Sequence, residues 1–177
     1  QAPLRACFMF DDPNLHWLSY GYVDYRKILK DSERHNFHVS FATIPIDSWY
    51  THKGAADLFR NNSDRLSLLV HGNNHTKLEL GRNYSARERS SLLRQSIQRI
   101  EKLERNGRIK VCRVMVPPHG ACSDAMLNAL PSFGFRGACV SHGSLIAHNR
   151  GKQWTRTIGL APAEFVEGCA VMPRWNF

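Results

Sequence analysis

Short apolar runs alternate along this chain with amphipathic segments, and this alternation restricts the folds open to it. Strands are predicted at residues 6–10, 37–43, 66–70, 111–116 and 135–140. Helices are predicted between them, at about 21–35, in a short stretch ending near 60, from Ser85 to Asn106-Gly107, and from Ser123 to about Leu130. Alternating strands and helices indicate a parallel sheet with right-handed crossovers, which is an α/β fold.

The pattern weakens after residue 141, where the sequence is rich in Gly, His, Asn and Arg. Short strands are expected around residues 158–160 and 170–172. The 177 residues, 42% of them apolar, suffice for a single domain spanning residues 1–177. Two interpretations of the weak C-terminal pattern stay open: the fold is an irregular or incomplete (β/α) barrel, or the domain is truncated at its C-terminus.

A net charge of +9 is compatible with binding to nucleic acid, because Lys and Arg neutralise phosphates. Most of the basic residues near the centre of the chain, however, fall on the polar face of the helix predicted from Ser85, among Glu88, Glu101 and Glu104. That helix begins with a capping box, Ser85 to Glu88, and has an apolar face. We interpret the basic stripe as a solvated helix face and do not expect nucleic acid to be the main partner.

Two further features bear on the cellular compartment of the protein. No apolar stretch approaches the ~20 residues needed to cross a bilayer, so no membrane association is expected. The five cysteines form no C-x-x-C pair, and an odd number cannot all pair within one chain, which favours a reducing, cytoplasmic compartment over a disulfide scaffold. The chain begins at Gln1 and not at Met, so an N-terminal targeting segment could precede it.

Three of the predicted strands end in residues that can carry chemistry. The first ends in Phe10-Asp11-Asp12, the third is followed by His71 and His75, and the fourth by Pro117-Pro118-His119-Gly120. Adjacent carboxylates at the end of a buried strand are costly unless they are paired, and carboxylate with neutral imidazole is a ligand set that suits zinc. Such strand ends are typical of an active site built on the C-terminal face of an α/β barrel.

Each of these features also has a simpler interpretation. Asp12-Pro13 is a common turn sequence, two histidines four residues apart occur by chance, and the double proline stiffens a strand-to-helix connection. Because all three motifs occur directly after predicted strands, we favour a functional site over these simpler interpretations.

In order and spacing, these motifs resemble those of the polysaccharide deacetylases, the metal-dependent carbohydrate esterases with a NodB-type domain. Phe10-Asp11-Asp12 is similar to the family's first motif, His71 to His75 to its second, and Pro117-Pro118-His119-Gly120 to its third. The resemblance spans roughly residues 6–140. It implies an α/β barrel of the deacetylase type that removes acetyl groups from an N-acetylated carbohydrate.

The resemblance also implies roles for individual residues. Asp11 corresponds to the catalytic base, and Asp12, His71 and His75 correspond to the ligands of a divalent metal, most simply zinc. The loop containing Pro118 and His119 would line the pocket and contact substrate, while Asn74 would either hold its turn or bind substrate.

Two positions depart from the family, and one family motif has no clear counterpart. Val116 stands where the family usually has Arg before the prolines, and His119 replaces the usual aromatic residue. The late histidine that serves as general acid has no match, and His142 is the best candidate for that role. Two alternatives to a deacetylase therefore stay open: a metal-containing carbohydrate-binding module with weak or no catalysis, and a metallohydrolase acting on another amide.

Overall fold

The computed structural model describes residues 8–156, 158, 164–166 and 168–174, and these residues form a central sheet flanked by helices. The chain has nine strands in the described part, and they are β1 (Phe8–Asp11), β2 (Ser19–Tyr20), β3 (Val23–Asp24), β4 (Val39–Thr43), β5 (Leu66–His71), β6 (Val111–Val116), β7 (Gly137–Ser141), β8 (Glu164–Val166) and β9 (Cys169–Arg174). The α-helices in the same part are α1 (Tyr25–His35), α2 (Lys53–Asn61), α3 (Ala86–Gly107), α4 (Asp124–Ala129) and α5 (His142–His148).

Seven strands form the main sheet, in the order β1-β4-β5-β6-β7-β9-β8. All neighbours are parallel except β8 and β9, which are antiparallel, so the predicted α/β class is confirmed. Strands β1 and β8 are the two edges, and no backbone pairing between described residues closes the sheet into a complete barrel. The described part is therefore a mostly parallel α/β sheet with flanking helices.

The two faces of the sheet differ because side chains alternate along each strand. One face carries the large apolar residues, among them Phe41, Leu68 and Val70, and helices cover it to form the main core. The other face carries smaller groups, with Ala42, Leu69 and Val116 in a minor cluster. Polar residues at the ends of the strands on this second face can therefore meet above it.

Helix α3 confirms the sequence prediction most closely. Ser85 accepts a hydrogen bond from the Glu88 N–H, and the Glu88 carboxylate accepts one from the Ser85 N–H, as a capping box requires. Leu93, Ile100 and Leu103 are buried, while most of the basic residues between positions 82 and 108 are exposed, which fits a solvated face. No α-helix in the described residues combines the length and apolar character needed to span a membrane.

The structure corrects three elements of the prediction. Residues 21–24, expected to begin a helix, belong instead to the β2–β3 hairpin, because Gly21 at φ 55° makes a turn and Asp24 caps α1, which begins only at Tyr25. Residues 142–148 form α5, which was missed because its short run of Gly, Ser and His lacks a clear apolar period. Strand β8 was also not predicted, since it has only three residues.

Near the C-terminus the predicted strand at residues 170–172 is confirmed within β9. Ile158 lies in a turn and not in a strand, whereas residues 159 and 160 fall outside the described residues.

Candidate metal centre

The three predicted motifs lie along one edge of the sheet. Strands β1, β4, β5 and β6 are parallel neighbours, so their carboxyl ends meet at that edge, and the loops that follow them carry the motifs. Of the predicted ligands, Asp12, His71 and His75 form one cluster in which the ligand atoms all lie within 4.8 Å of one another. The structure therefore brings the three predicted ligands together.

Within the cluster one carboxylate oxygen faces two imidazole nitrogens. Asp12 Oδ1 lies 3.1 Å from His71 Nε2 and 2.8 Å from His75 Nε2. Two ligand atoms that each lie ~2 Å from a tetrahedral zinc ion are ~3.3 Å apart, so the observed spacing is close to that of a zinc site.

The protonation of His71 explains why a cation fits this cluster. Its Nδ1 lies 2.8 Å from the backbone carbonyl oxygen of Val116, which can only accept, so Nδ1 carries the hydrogen. In neutral His71 the Nε2 lone pair therefore faces Asp12 Oδ1. That oxygen is buried, and it accepts no hydrogen bond from any described residue. A buried carboxylate oxygen that faces the imidazole lone pair of His71 is unfavourable without a cation between them, so the donor set fits a divalent metal.

The charge state of Asp12 suits the same role. When His71 is protonated, its side-chain hydrogen bond holds the pKa of the Asp12 carboxyl below its usual range, against the opposing effect of burial, and the charges of His71, His75 and His119 act in the same direction. Asp12 is consequently ionised at neutral pH and available as a ligand.

Asp11 lies apart from this cluster, as expected for neighbouring residues at a strand end. Its two carboxylate oxygens accept hydrogen bonds from Arg174, at 2.8 Å from Nη1 to Oδ1 and 2.7 Å from Nη2 to Oδ2. Asp11 is the last residue of the edge strand β1. Arg174 is the last residue of β9, which lies next to the other edge strand, β8. The sheet is thus curled enough for a single side chain to cross between β9 and β1.

The loops of the site contain backbone in the left-handed region. Asp12 has φ 73°, His75 has φ 57° and His119 has φ 58°, although none of these residues is glycine. Gly72 has φ 62°, and a Cβ at that position would come within 2.4 Å of Glu79 Oε2 and 2.5 Å of Pro118 Cγ. The loop after β5 therefore needs glycine at 72 because the Glu79 carboxylate and Pro118 occupy the space beside it.

A buried carboxylate holds the loop that carries His75. Glu79 is 1% exposed, and its two oxygens accept hydrogen bonds from the backbone N–H groups of Asn73 (2.8 Å) and Asn74 (2.9 Å). Arg99, from α3, donates to the side-chain oxygens of both asparagines, at 2.7 and 2.6 Å. Asn74, predicted to contact substrate or hold its turn, is thus held into the turn through both its backbone and its side chain.

The loop after β6 brings His119 alongside the cluster. The ring centroids of His119 and His75 are 5.0 Å apart, and His119 Nδ1 lies 3.4 Å from the backbone N–H of Leu78. Since that N–H donates to Nδ1, the Nε2 of a neutral His119 carries the hydrogen. Pro118, the residue before His119, is buried.

His142, predicted as the general acid, begins α5 at the same edge of the sheet. Its Nε2 lies 3.1 Å from the backbone carbonyl oxygen of Ile158, so this nitrogen donates to that carbonyl.

Three residues of the site were not found by sequence reasoning, namely Arg174, Glu79 and Arg99. Arg174 lies in a short C-terminal strand with no motif around it. Glu79 lies in the loop just after the histidine motif, and Arg99 lies in the helix that follows, so their positions gave only a weak signal. Their hydrogen bonds to the loop depend on how α3 packs, which the sequence does not show.

Sequence comparison gives no relatives: no protein-family model matches the chain, and no curated protein does. Solved structures do match. The Bc1960 peptidoglycan N-acetylglucosamine deacetylase aligns with 83% of this chain and 66% of its own, at 16% identity and a TM-score of 0.54. For the BpsB deacetylase domain from Bordetella bronchiseptica the coverages are 76% and 62%, at 14% identity and a TM-score of 0.52.

A third match is a CE4 family pseudoenzyme mutant with restored enzymatic activity, which aligns with 96% of this chain at 15% identity and a TM-score of 0.50. The present chain spans 56% of that protein and so corresponds to part of its length. The similarity in each case concerns the arrangement of strands and helices. The chain has the fold of the CE4, NodB-type polysaccharide deacetylases.

Proposed function

We propose that this chain is a metal-dependent hydrolase that removes acetyl groups from an N-acetylated carbohydrate. The observation that carries the proposal is the convergence of Asp12 Oδ1 with the Nε2 atoms of His71 and His75, beside a second carboxylate that Arg174 holds apart from them. One carboxylate is then free to bind a cation while the other handles a proton. The fold shared with deacetylases supports the same reaction class.

Asp12, His71 and His75 would hold a divalent metal, with zinc as the first choice because three protein ligands leave a position open. When bound, the metal would polarise the acetyl carbonyl and lower the pKa of its water from 15.7 toward ~7. Asp11 would take the proton from the attacking water as general base. Arg174 fixes the direction of the Asp11 carboxylate through its two parallel hydrogen bonds, so that one orientation is presented to the water.

The loop of residues 117–120 would form one wall of the pocket. The His119 Nε2–H lies on the side of the ring away from Leu78, and it could donate to the carbohydrate next to the cluster. His142 is retained as the predicted donor to the leaving amine, although in this structure its Nε2 donates to Ile158. A substrate that displaced this carbonyl would release the donor.

The test combines metal analysis with acetate release. Wild-type protein loaded with Zn²⁺ should contain about one metal per chain and release acetate from N-acetylated oligosaccharides. His71→Ala and His75→Ala should each bind much less metal, while His148→Ala, a change in α5 away from the cluster, should bind the normal amount. Full metal content in both cluster variants would refute the ligand assignment.

A second candidate function is a carbohydrate-binding module that keeps the metal but does not catalyse. The observation in its favour is the His142 hydrogen bond to Ile158, which occupies the Nε2–H of the predicted acid. Metal-loaded wild-type protein that binds N-acetylated oligosaccharides without releasing acetate would support this module. Acetate release that disappears in His142→Ala but persists in His148→Ala would support the enzyme.

A further inference from the structure

Two serines and a histidine form a second polar cluster, near the amino ends of two central strands. Ser40 and Ser67 are paired neighbours in β4 and β5, and His38 directly precedes β4. Ser67 shares a face of the sheet with the metal ligand His71, but it lies four residues earlier in β5, a separation of ~13 Å along the strand. The serine–histidine cluster is therefore separate from the metal cluster, at the other end of the strands.

The direction of each hydrogen bond in this cluster follows from one backbone contact. His38 Nδ1 lies 3.0 Å from the carbonyl oxygen of Asp64, which can only accept, so Nδ1 carries the hydrogen of the neutral ring. Nε2 then has a lone pair, and it lies 2.9 Å from Ser67 Oγ, whose hydroxyl donates to it. Ser40 Oγ, 2.9 Å from Ser67 Oγ, donates to that oxygen in turn. The Ser67 proton thus points at the imidazole.

This order of groups is the one that activates a serine nucleophile. A serine hydroxyl is weakly nucleophilic unless an adjacent base takes its proton, and a third group has to hold that base in one orientation. Ser67, His38 and the Asp64 carbonyl oxygen are the hydroxyl, the base and the orienting group. Ser67 and His38 are both partly exposed, so a reactant can reach the hydroxyl from solvent.

The side chains around Ser67 indicate which kind of reactant fits. Met9 pairs with Ser40 and Ser40 with Ser67, so these three residues form one row across β1, β4 and β5. Leu69 follows Ser67 on the same face and belongs to the minor apolar cluster, together with Met9 and Val114, which are partly exposed. An aliphatic chain attached to Ser67 Oγ would lie against these side chains and bury apolar surface. The surroundings therefore favour an uncharged aliphatic acyl group.

We propose that Ser67 is a nucleophilic serine that accepts an aliphatic acyl group from an activated ester, with His38 as its general base. Ser67 Oγ attacks the ester carbonyl carbon while its proton passes to His38 Nε2. The bond between that carbon and the leaving oxygen then breaks, and His38 gives the proton to the leaving oxygen. The products are acylated Ser67, a free alcohol or phenol, and neutral His38. No metal takes part, so this reaction is independent of the proposed deacetylase function.

The test measures acylation by p-nitrophenyl butanoate, with the modified residues identified by peptide mass spectrometry. Ser67 should react roughly tenfold faster or more than Ser91, an exposed serine of α3, because only an activated hydroxyl competes well for the ester. His38→Gln should slow the reaction of Ser67 roughly 100-fold, a typical contribution of a general base. The matched control is His35→Gln, which changes an exposed histidine of α1 and should leave the rate unchanged. A chelator should have no effect on the rate.

A second variant separates loss of the base from a disturbance of β4. His38→Ala is assayed with and without added imidazole, and recovery of Ser67 acylation by imidazole would support the role of His38 as base. A loss that imidazole does not reverse would overturn it. The inference is also overturned if Ser67 reacts no faster than Ser91, or if His38→Gln reacts like His35→Gln. Acylation of Ser67 that a chelator abolishes would assign the reaction to the metal cluster and would likewise overturn the inference.

Discussion

Arg174, at the end of β9, makes two parallel hydrogen bonds to the carboxylate of Asp11, which precedes it by 163 positions in the chain. In a family motif that this chain resembles, an Arg precedes the prolines, where Val116 stands here. The guanidinium beside the proposed base Asp11 comes instead from β9.

We expect Arg174→Gln to lower turnover roughly 10- to 100-fold with metal content unchanged, since it removes the group that orients Asp11 and no metal ligand. Arg174→Lys should rescue little of this loss, because an ammonium cannot form the bidentate pair. Steady-state kinetics and metal analysis would check both points, with the exposed Arg156→Gln as control. Additive losses in the Asp11→Asn, Arg174→Gln double variant would show that the two residues act independently.

Asp11 and Asp12 should differ in their effects despite being neighbours. Asp11→Asn should keep about one metal per chain and lose ~10²- to 10⁴-fold in turnover, the usual cost of removing a general base. Asp12→Asn should lose metal affinity first, because its Oδ1 faces both histidines. Parallel metal titrations and acetate-release assays separate the two, and reversed results would mean that the roles are reversed.

Glu79 should control metal affinity without touching the metal. Glu79→Gln replaces one of its two acceptor oxygens with an N–H₂ group, so that either the Asn73 or the Asn74 N–H loses its partner. We expect the Zn²⁺ affinity to fall roughly 10- to 100-fold, which is the usual loss when a residue that holds a metal ligand in place is mutated. Competition with a chelator measures it, with the exposed Glu101→Gln as control. Equal affinities in the two variants would contradict a role for Glu79 in holding the loop.

The ion pair between α3 and β6 should make stability depend on pH. Burial raises the pKa of Glu104, but hydrogen bonds from Arg113 and from the Val111 N–H, with the charge of Arg113, lower it by more, so the net pKa lies below its usual value. The unfolded chain therefore binds a proton at higher pH than the folded one. The stabilisation that ionised Glu104 gives the folded protein is present above the unfolded pKa of about 4.3 and is lost as pH falls through the folded pKa.

Glu104→Gln should thus lower the free energy of unfolding by about 1–2 kcal/mol at pH 7, and the difference from wild type should shrink below about pH 4. Urea denaturation at several pH values measures both numbers. A difference that stays constant from pH 7 to pH 3 would mean that Glu104 acts through packing and not through its charge.

The clustering of the three proposed ligands could be predicted from the sequence because each lies at or just after the end of a strand whose apolar pattern is local. Asp12, His71 and His75 needed only the rule that parallel strands end at one edge. Arg174 could not be predicted, because its partner is set by how far the sheet curls, and no local pattern encodes that curvature. The β2–β3 hairpin was missed for a related reason: its strands have two residues each, too few to show a period.

The left-handed backbone at Asp12, His75 and His119 has a consequence for how this site changes over evolution. Each such position costs roughly 1–3 kcal/mol, and glycine would remove most of that cost. A lineage that stopped using the site would gain stability by replacing these three side chains, whereas changes in the packed strands below would only destabilise the protein. In related sequences, glycine or asparagine at positions equivalent to 12, 75 and 119 would then indicate that the activity of the site was lost while the fold was retained.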